Sequence, residues 1–179
     1  MKKSEIMKQI LYALGIAGVI KVSLAVPSLP IALMSVYKPL KKYRQGQIRR
    51  SFAYLKAKRM VGVGQEGNKT IIKLLESGKE RFVKFKLDDI QIKPVKWDSK
   101  WRIVMFDIPE QYKYARQNFS RKLKEIGFKT LQKSAWICPY KCSDEIDFIV
   151  GVYAIDPFVR LITVDSSQIE KNWQKNFNL

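Results

Sequence analysis

The chain has 179 residues and 46% hydrophobic composition, enough for one or two small domains with a buried core. Its complete lack of histidine excludes His-based acid–base catalysis, the Ser-His-Asp and Cys-His arrangements, and most zinc sites. Its formal charge of +18 is the unusual number, and it directs the search toward a polyanionic partner.

That charge is unevenly placed. Residues 1–96 hold 21 basic and 6 acidic residues, whereas residues 97–179 hold 13 and 10. Between Glu5 and Glu66 there is no acidic residue, yet this stretch carries eleven Lys and Arg, nine of them from Lys38 to Arg59. A solvated helix face usually mixes both signs so that i,i+4 pairs form. A one-signed stretch costs self-repulsion and therefore suits nucleic acid or an anionic membrane surface.

In chain order, Lys8 to Leu24 reads as a first helix, weakened at Gly15 and Gly18. Pro27-Ser-Leu-Pro30 reads as a turn, and Ile31 to Tyr37 as a short apolar helix stopped near Pro39. The apolar stretch Ile10–Tyr37 calls for a membrane check. Lys21 interrupts it, and neither uncharged run reaches the roughly 20 clean residues of a span. A buried scaffold is the expectation, with membrane attachment as the competing one. Gln47 to Arg59 is the stronger helix. Ile48, Phe52 and Leu55 follow i, i+4, i+7 and form an apolar stripe. Arg49, Arg50, Ala53, Lys56 and Ala57 lie opposite. Such a face suits a helix lying in a DNA major groove, although a solvated basic face has the same pattern.

Met60-Val-Gly-Val-Gly, the turn Gln65-Glu-Gly-Asn68 and the β-branched Lys69–Leu75 form a hairpin, after which Ser77 begins another helix. Helix, helix, basic helix and hairpin is the order of a winged helix, a helix-turn-helix variant. On this reading Arg49, Arg50 and Lys56 face the groove, and Lys41, Lys42, Arg44 and Lys69 meet phosphates. The polar connector Leu87–Lys96 places a boundary near Lys93–Lys96, giving domains 1–95 and 96–179.

The second half alternates differently. Trp101 to Asp107 is a strand, and Glu110 to Ile126 a helix with Tyr112, Ala115, Phe119, Leu123 and Ile126 on one stripe. Phe128–Leu131 and Ala135–Pro139 are short strands, Ser143 is the expected N-cap of a helix to about Tyr153, and Phe158–Val164 is the last strand. The order β-α-β-β-α-β is that of a ferredoxin-like unit. The fold class is therefore α+β, with a short C-terminal tail. Cys138 and Cys142 alone cannot close a zinc site and read as reduced thiols of a cytoplasmic protein.

Lys96-Trp-Asp-Ser-Lys-Trp-Arg-Ile-Val-Met-Phe-Asp-Ile-Pro109 and Leu131-Gln-Lys-Ser-Ala-Trp-Ile-Cys-Pro-Tyr140 resemble the central domain of the PaaX-like repressors. That domain is similar to the small ferredoxin-like endonuclease of CRISPR adaptation. The resemblance extends more weakly to the first half through Leu55-Lys-Ala-Lys-Arg-Met-Val-Gly-Val and Thr70-Ile-Ile-Lys-Leu. It implies a dimeric, operator-binding transcriptional regulator that needs no cofactor, its second domain making the homodimer. Its nuclease side implies an alternative, a Mg²⁺-dependent endonuclease with Asp107 as metal ligand and catalytic residue. Against that, Asp107 is a thin first shell by itself, and the plainer expectation is that its oxygens cap the turn into the next helix. Trp97 and Trp101 are expected to pack at the domain junction rather than stack on bases.

Overall fold

A computed structural model describes residues 2–23, 29–169 and 172–179. The chain divides into two compact units, Met1–Asp88 and Asp89–Leu179. Each has its own antiparallel sheet.

The first unit runs α1 (Lys2–Ala17), β1 (Val19–Ser23), α2 (Leu29–Val36), a 3-10 turn (Lys38–Lys42), α3 (Gln45–Ala57), β2 (Val61–Glu66), β3 (Lys69–Leu74) and α4 (Glu76–Asp89). The expected first helix to Leu24 is thus too long. It ends at Ala17 because Gly18 takes φ +68°, which reverses the chain. Val19-Ile-Lys-Val then pairs along β3, Ile20 opposite Ile72. A continuous apolar run does not distinguish these two states by itself. The expected turn Pro27–Pro30 falls partly outside the described residues, and Pro30 sits buried in the first turn of α2, where its missing N–H costs nothing.

The sheet order is β1-β3-β2. Glu66 pairs with Lys69 across a two-residue loop, and Gly67 takes the positive φ of +56° that its first position requires. Ile10, Leu14, Leu33, Ile48, Leu55 and Ile72 fill the core between the helices and one sheet face. Among the described residues of the stretch 10–37, Ile10, Leu11, Leu14, Ile20 and Leu33 are buried, whereas Ile16, Val19, Ile31 and Val36 are exposed. Among the described residues, no helix is long and apolar enough to cross a membrane.

The second unit runs β4 (Lys100–Phe106), a 3-10 turn (Glu110–Tyr112), α5 (Lys113–Glu125), β5 (Lys129–Gln132), β6 (Ala135–Cys138), α6 (Ser143–Tyr153), β7 (Val159–Asp165) and α7 (Asn172–Asn176). Its sheet order is β5-β6-β4-β7, and α5 and α6 each link two strands that have one other strand between them, which fits a ferredoxin-like unit. Phe106 meets Phe119 of α5 edge-to-face at 5.4 Å, fixing the helix side of the sheet. Ser143 is the first residue of α6 rather than its cap. Cys142 holds that place, and no side chain bonds there.

Arg102 fixes the entry to β4. It is 5% exposed and grips Asp98 with both guanidinium nitrogens at 2.6 Å, while Nη1 also donates to the Pro139 carbonyl at 3.0 Å. The guanidinium holds the Asp98 carboxyl down at about 2. Trp101 packs on Trp97 at 5.2 Å and on Phe177 at 5.6 Å, so both tryptophans belong to a cluster with the C-terminal helix.

Candidate nucleic-acid interface

The basic stretch is organised by α3. Its start is fixed at Arg44, whose extended backbone N–H donates to Gln47 Oε1 at 3.1 Å. Its end closes when Met60 N–H donates to the Leu55 carbonyl at 3.0 Å, with Arg59 at φ +53°. Ser77 Oγ then donates to the Arg59 carbonyl at 2.8 Å.

Ile48, Ser51, Phe52 and Leu55 are buried against the first unit's core. Arg49, Arg50, Ala53, Lys56 and Ala57 are exposed on the other side, as the periodicity predicts. Burial of the apolar stripe dictates which way the cations point. Gly46, in the first turn, faces open space: a Cβ there would meet nothing within 4 Å.

At the head of α3 the chain makes a hollow of about 590 Å³ lined by Lys42, Tyr43, Arg44, Gln47 and Arg50. The Lys42 ammonium lies 5.1 Å from the Tyr43 ring centroid. Three predicted cations, Lys42, Arg44 and Arg50, thus converge. Arg49 and Lys56 share the exposed face of α3 but stand outside the hollow, and Lys41 is exposed on the preceding 3-10 turn. Lys69 lies on the hairpin opposite Glu66, whose carboxylate takes an ion pair from Lys21 at 2.8 Å. Among the described residues, none of Lys41, Lys42, Arg44, Arg49, Arg50 or Lys56 has an acidic partner. Sequence reasoning missed Tyr43 and Gln47. The only signal for Gln47 was its place three residues after the cap.

Asp107 lies elsewhere, at the end of β4 in the second unit. Its N–H donates to the Phe158 carbonyl at 3.0 Å. Its carboxylate is exposed and, among the described residues, without a partner, so the expected turn cap is not made: the 3-10 turn is entered from Pro109, two residues on. Asp107 instead lines a hollow of about 730 Å³ with Met105, Gln132, Lys133, Ser134 and Arg160. A Mg²⁺ site asks for several oxygen ligands and tolerates cations poorly. One carboxylate beside Lys133 and Arg160 does not fit it, and among the described residues no three His, Cys, Asp or Glu side chains are grouped to hold a metal.

With both sites described, comparison with known proteins bears on the second unit. Residues 94–176 match the family model of the PaaX protein central Cas2-like domain. The match covers most of the second unit and supports a relationship to the PaaX family. It does not extend to the residues of α3. No curated protein matches the chain.

Proposed function

We propose that this chain is a cytoplasmic, dimeric transcriptional regulator of the PaaX type that binds double-stranded DNA in a sequence-specific manner through its first unit. The observation that carries the reading is the cluster of cations on α3 and at its head that have no acidic partner among the described residues. A helix whose outward face holds Arg49, Arg50 and Lys56 between small residues can approach a groove floor closely. The hollow of Lys42, Arg44 and Arg50 suits a phosphate at the groove edge.

The surrounding topology supports it. Helix, strand, helix, helix and a two-stranded hairpin, with sheet order β1-β3-β2, supports reading the first unit as a winged helix. In that arrangement α3 is the recognition helix, and the hairpin with Lys69 is the wing. The second unit supplies the partner subunit, so two recognition helices act together, and the binding needs no cofactor.

Selection of bound duplexes from a random pool tests the whole reading. A two-fold symmetric site is expected, its half-sites spaced by about 34–36 Å or a multiple of it. Recovery of unselected sequence would overturn sequence-specific recognition. Cleavage of DNA or RNA with added Mg²⁺ that vanishes in Asp107→Ala would favour a nuclease instead.

A further inference from the structure

Two nucleophiles belong to neither hollow. The chain has two cysteines, Cys138 and Cys142, both free, and each is 1% exposed. β6 ends at Cys138 and Cys142 stands immediately before α6, so a strand end and a helix start bring the pair together across Pro139-Tyr-Lys141. A cysteine packed as a small hydrophobe needs no polar partner. Cys138 has several. The Cys142 thiol donates to Cys138 Sγ, the Tyr140 N–H donates to the same sulfur, and the Arg102 guanidinium adds its positive field. Arg102 is fixed beside the pair, since its Nη1 donates to the Pro139 carbonyl at 3.0 Å.

These contacts make the two sulfurs unequal. The hydrogen bond from Cys142 holds the Cys138 thiol below its ordinary range against the opposing effect of burial, and the Tyr140 N–H and Arg102 act in the same direction. The same hydrogen bond, with burial and the neighbouring Cys138 sulfur, pushes the Cys142 thiol up. Glu145, in the first turn of α6, opposes Arg102 at both sulfurs. One sulfur is thus prepared to attack as a thiolate, and its neighbour keeps a proton aimed at it.

We infer that Cys138 and Cys142 are a redox site, forming a reversible disulfide with hydrogen peroxide as the oxidant. The Cys138 thiolate attacks one peroxide oxygen and the O–O bond breaks. The departing hydroxide takes up the proton that Cys138 gave up and leaves as water, and Cys138 becomes a sulfenic acid. Cys142 then attacks the Cys138 sulfur and the S–O bond breaks. This second hydroxide leaves as water with the Cys142 proton. Two thiols and one peroxide become one disulfide and two waters, the sulfurs losing the two electrons that peroxide gains. Peroxide is close to water in size, which suits a pair this buried, whereas a bulky disulfide would have to displace the turn Pro139–Lys141. A bond made and reversed in this way is compatible with a reducing compartment. The inference is independent of the DNA and dimer readings.

Exposure of the reduced full chain to hydrogen peroxide, followed by alkylation in denaturant and intact mass measurement, tests it. The parent should lose both alkylatable thiols and two hydrogens, run as a single chain on a non-reducing gel, and recover both thiols with dithiothreitol. The folded parent should react at least about tenfold faster than the parent in urea, where both thiols are ordinary. Cys142→Ser should stop at a Cys138 sulfenic acid that dimedone traps. Cys138→Ser should react at least about tenfold more slowly than Cys142→Ser. Cys138→Ala and Cys142→Ala, which bury no hydroxyl, should behave like the serine variants, which separates the chemistry from a failure to fold. A folded parent that keeps both thiols, reacts no faster than in urea, or joins only to other chains would overturn the inference. Equal reactivity of the two single variants would overturn Cys138 as the attacking sulfur.

Discussion

Arg50 and Arg102 are the same residue type in opposite circumstances. Arg102 is buried, held by Asp98 and the Pro139 carbonyl, and its charge is spent within the fold. Arg50 is exposed, at the rim of a basic hollow, with no acidic partner among the described residues. The contrast extends to their neighbourhoods. In the second unit Arg116 and Lys113 meet Glu110, and Arg121 and Lys122 meet Glu125. From Lys38 to Arg59 there is no acidic residue to meet. In the second unit these cations are locally neutralised, whereas among the described residues the run from Lys38 to Arg59 has no acidic partner. Net charge alone would not have separated the two.

The largest expected effect tests the unpaired side of this contrast. If α3 and the hollow at its head neutralise about six phosphates, duplex affinity should fall roughly 10³-fold between about 50 and 200 mM salt, with a slope near −0.9 per phosphate. Titration of one duplex at several salt concentrations measures this, and a flat response would remove DNA as the partner.

The paired side is tested by stability. Asp98→Ala leaves Arg102 buried with only carbonyl acceptors. It should cost about 2 kcal/mol, less than the 3–5 of a fully buried pair because the Asp98 side chain meets water. The same pair predicts a pH dependence. The Asp98 carboxyl is held at about 2 against an ordinary 3.8, so its contribution is fully present above about pH 4. It is lost as the pH falls toward 2, and the denaturant midpoint of Asp98→Ala should be less acid-sensitive than the parent's over that window.

Arg50→Ala should leave stability unchanged and cost about 1–3 kcal/mol of binding at one base position if it reads a base edge. A uniform loss on every sequence would make it a phosphate contact. The smallest effect is at Gly46. Since a Cβ there meets nothing, Gly46→Ala should raise stability by at most about 1 kcal/mol. If the head of α3 lies against a DNA strand, the same methyl should weaken binding. The opposite case is Gly78, where a Cβ would come within 2.0 Å of the Met60 carbonyl oxygen and the fold itself requires the glycine.

Much of α3 was legible in advance, because an amphipathic helix is a local object. Ile48, Phe52 and Leu55 at helical spacing name the buried side, and the exposed side of Arg49, Arg50 and Lys56 follows from it. β1 was not legible. Val19 to Ser23 is a strand only because Lys69 to Lys73 lies beside it, some fifty residues on, and hydrogen bonds to a distant partner leave no trace in local periodicity.

The sequence by itself determined the asymmetry of charge, the basic helix, and the β-α-β-β-α-β order of the second half, since each depends on residues close together in the chain. Tertiary structure alone decided which cations converge. Lys42, Arg44 and Arg50 share a hollow because the 3-10 turn, anchored in the core by Leu40, runs directly into the head of α3. It also decided that Asp107 and Arg160, far apart in sequence, line one hollow, because β4 and β7 pair with Met105 opposite Arg160. The physical reason is the same in both places. Charge is written residue by residue, but the field a partner meets is set by which elements the buried core brings together.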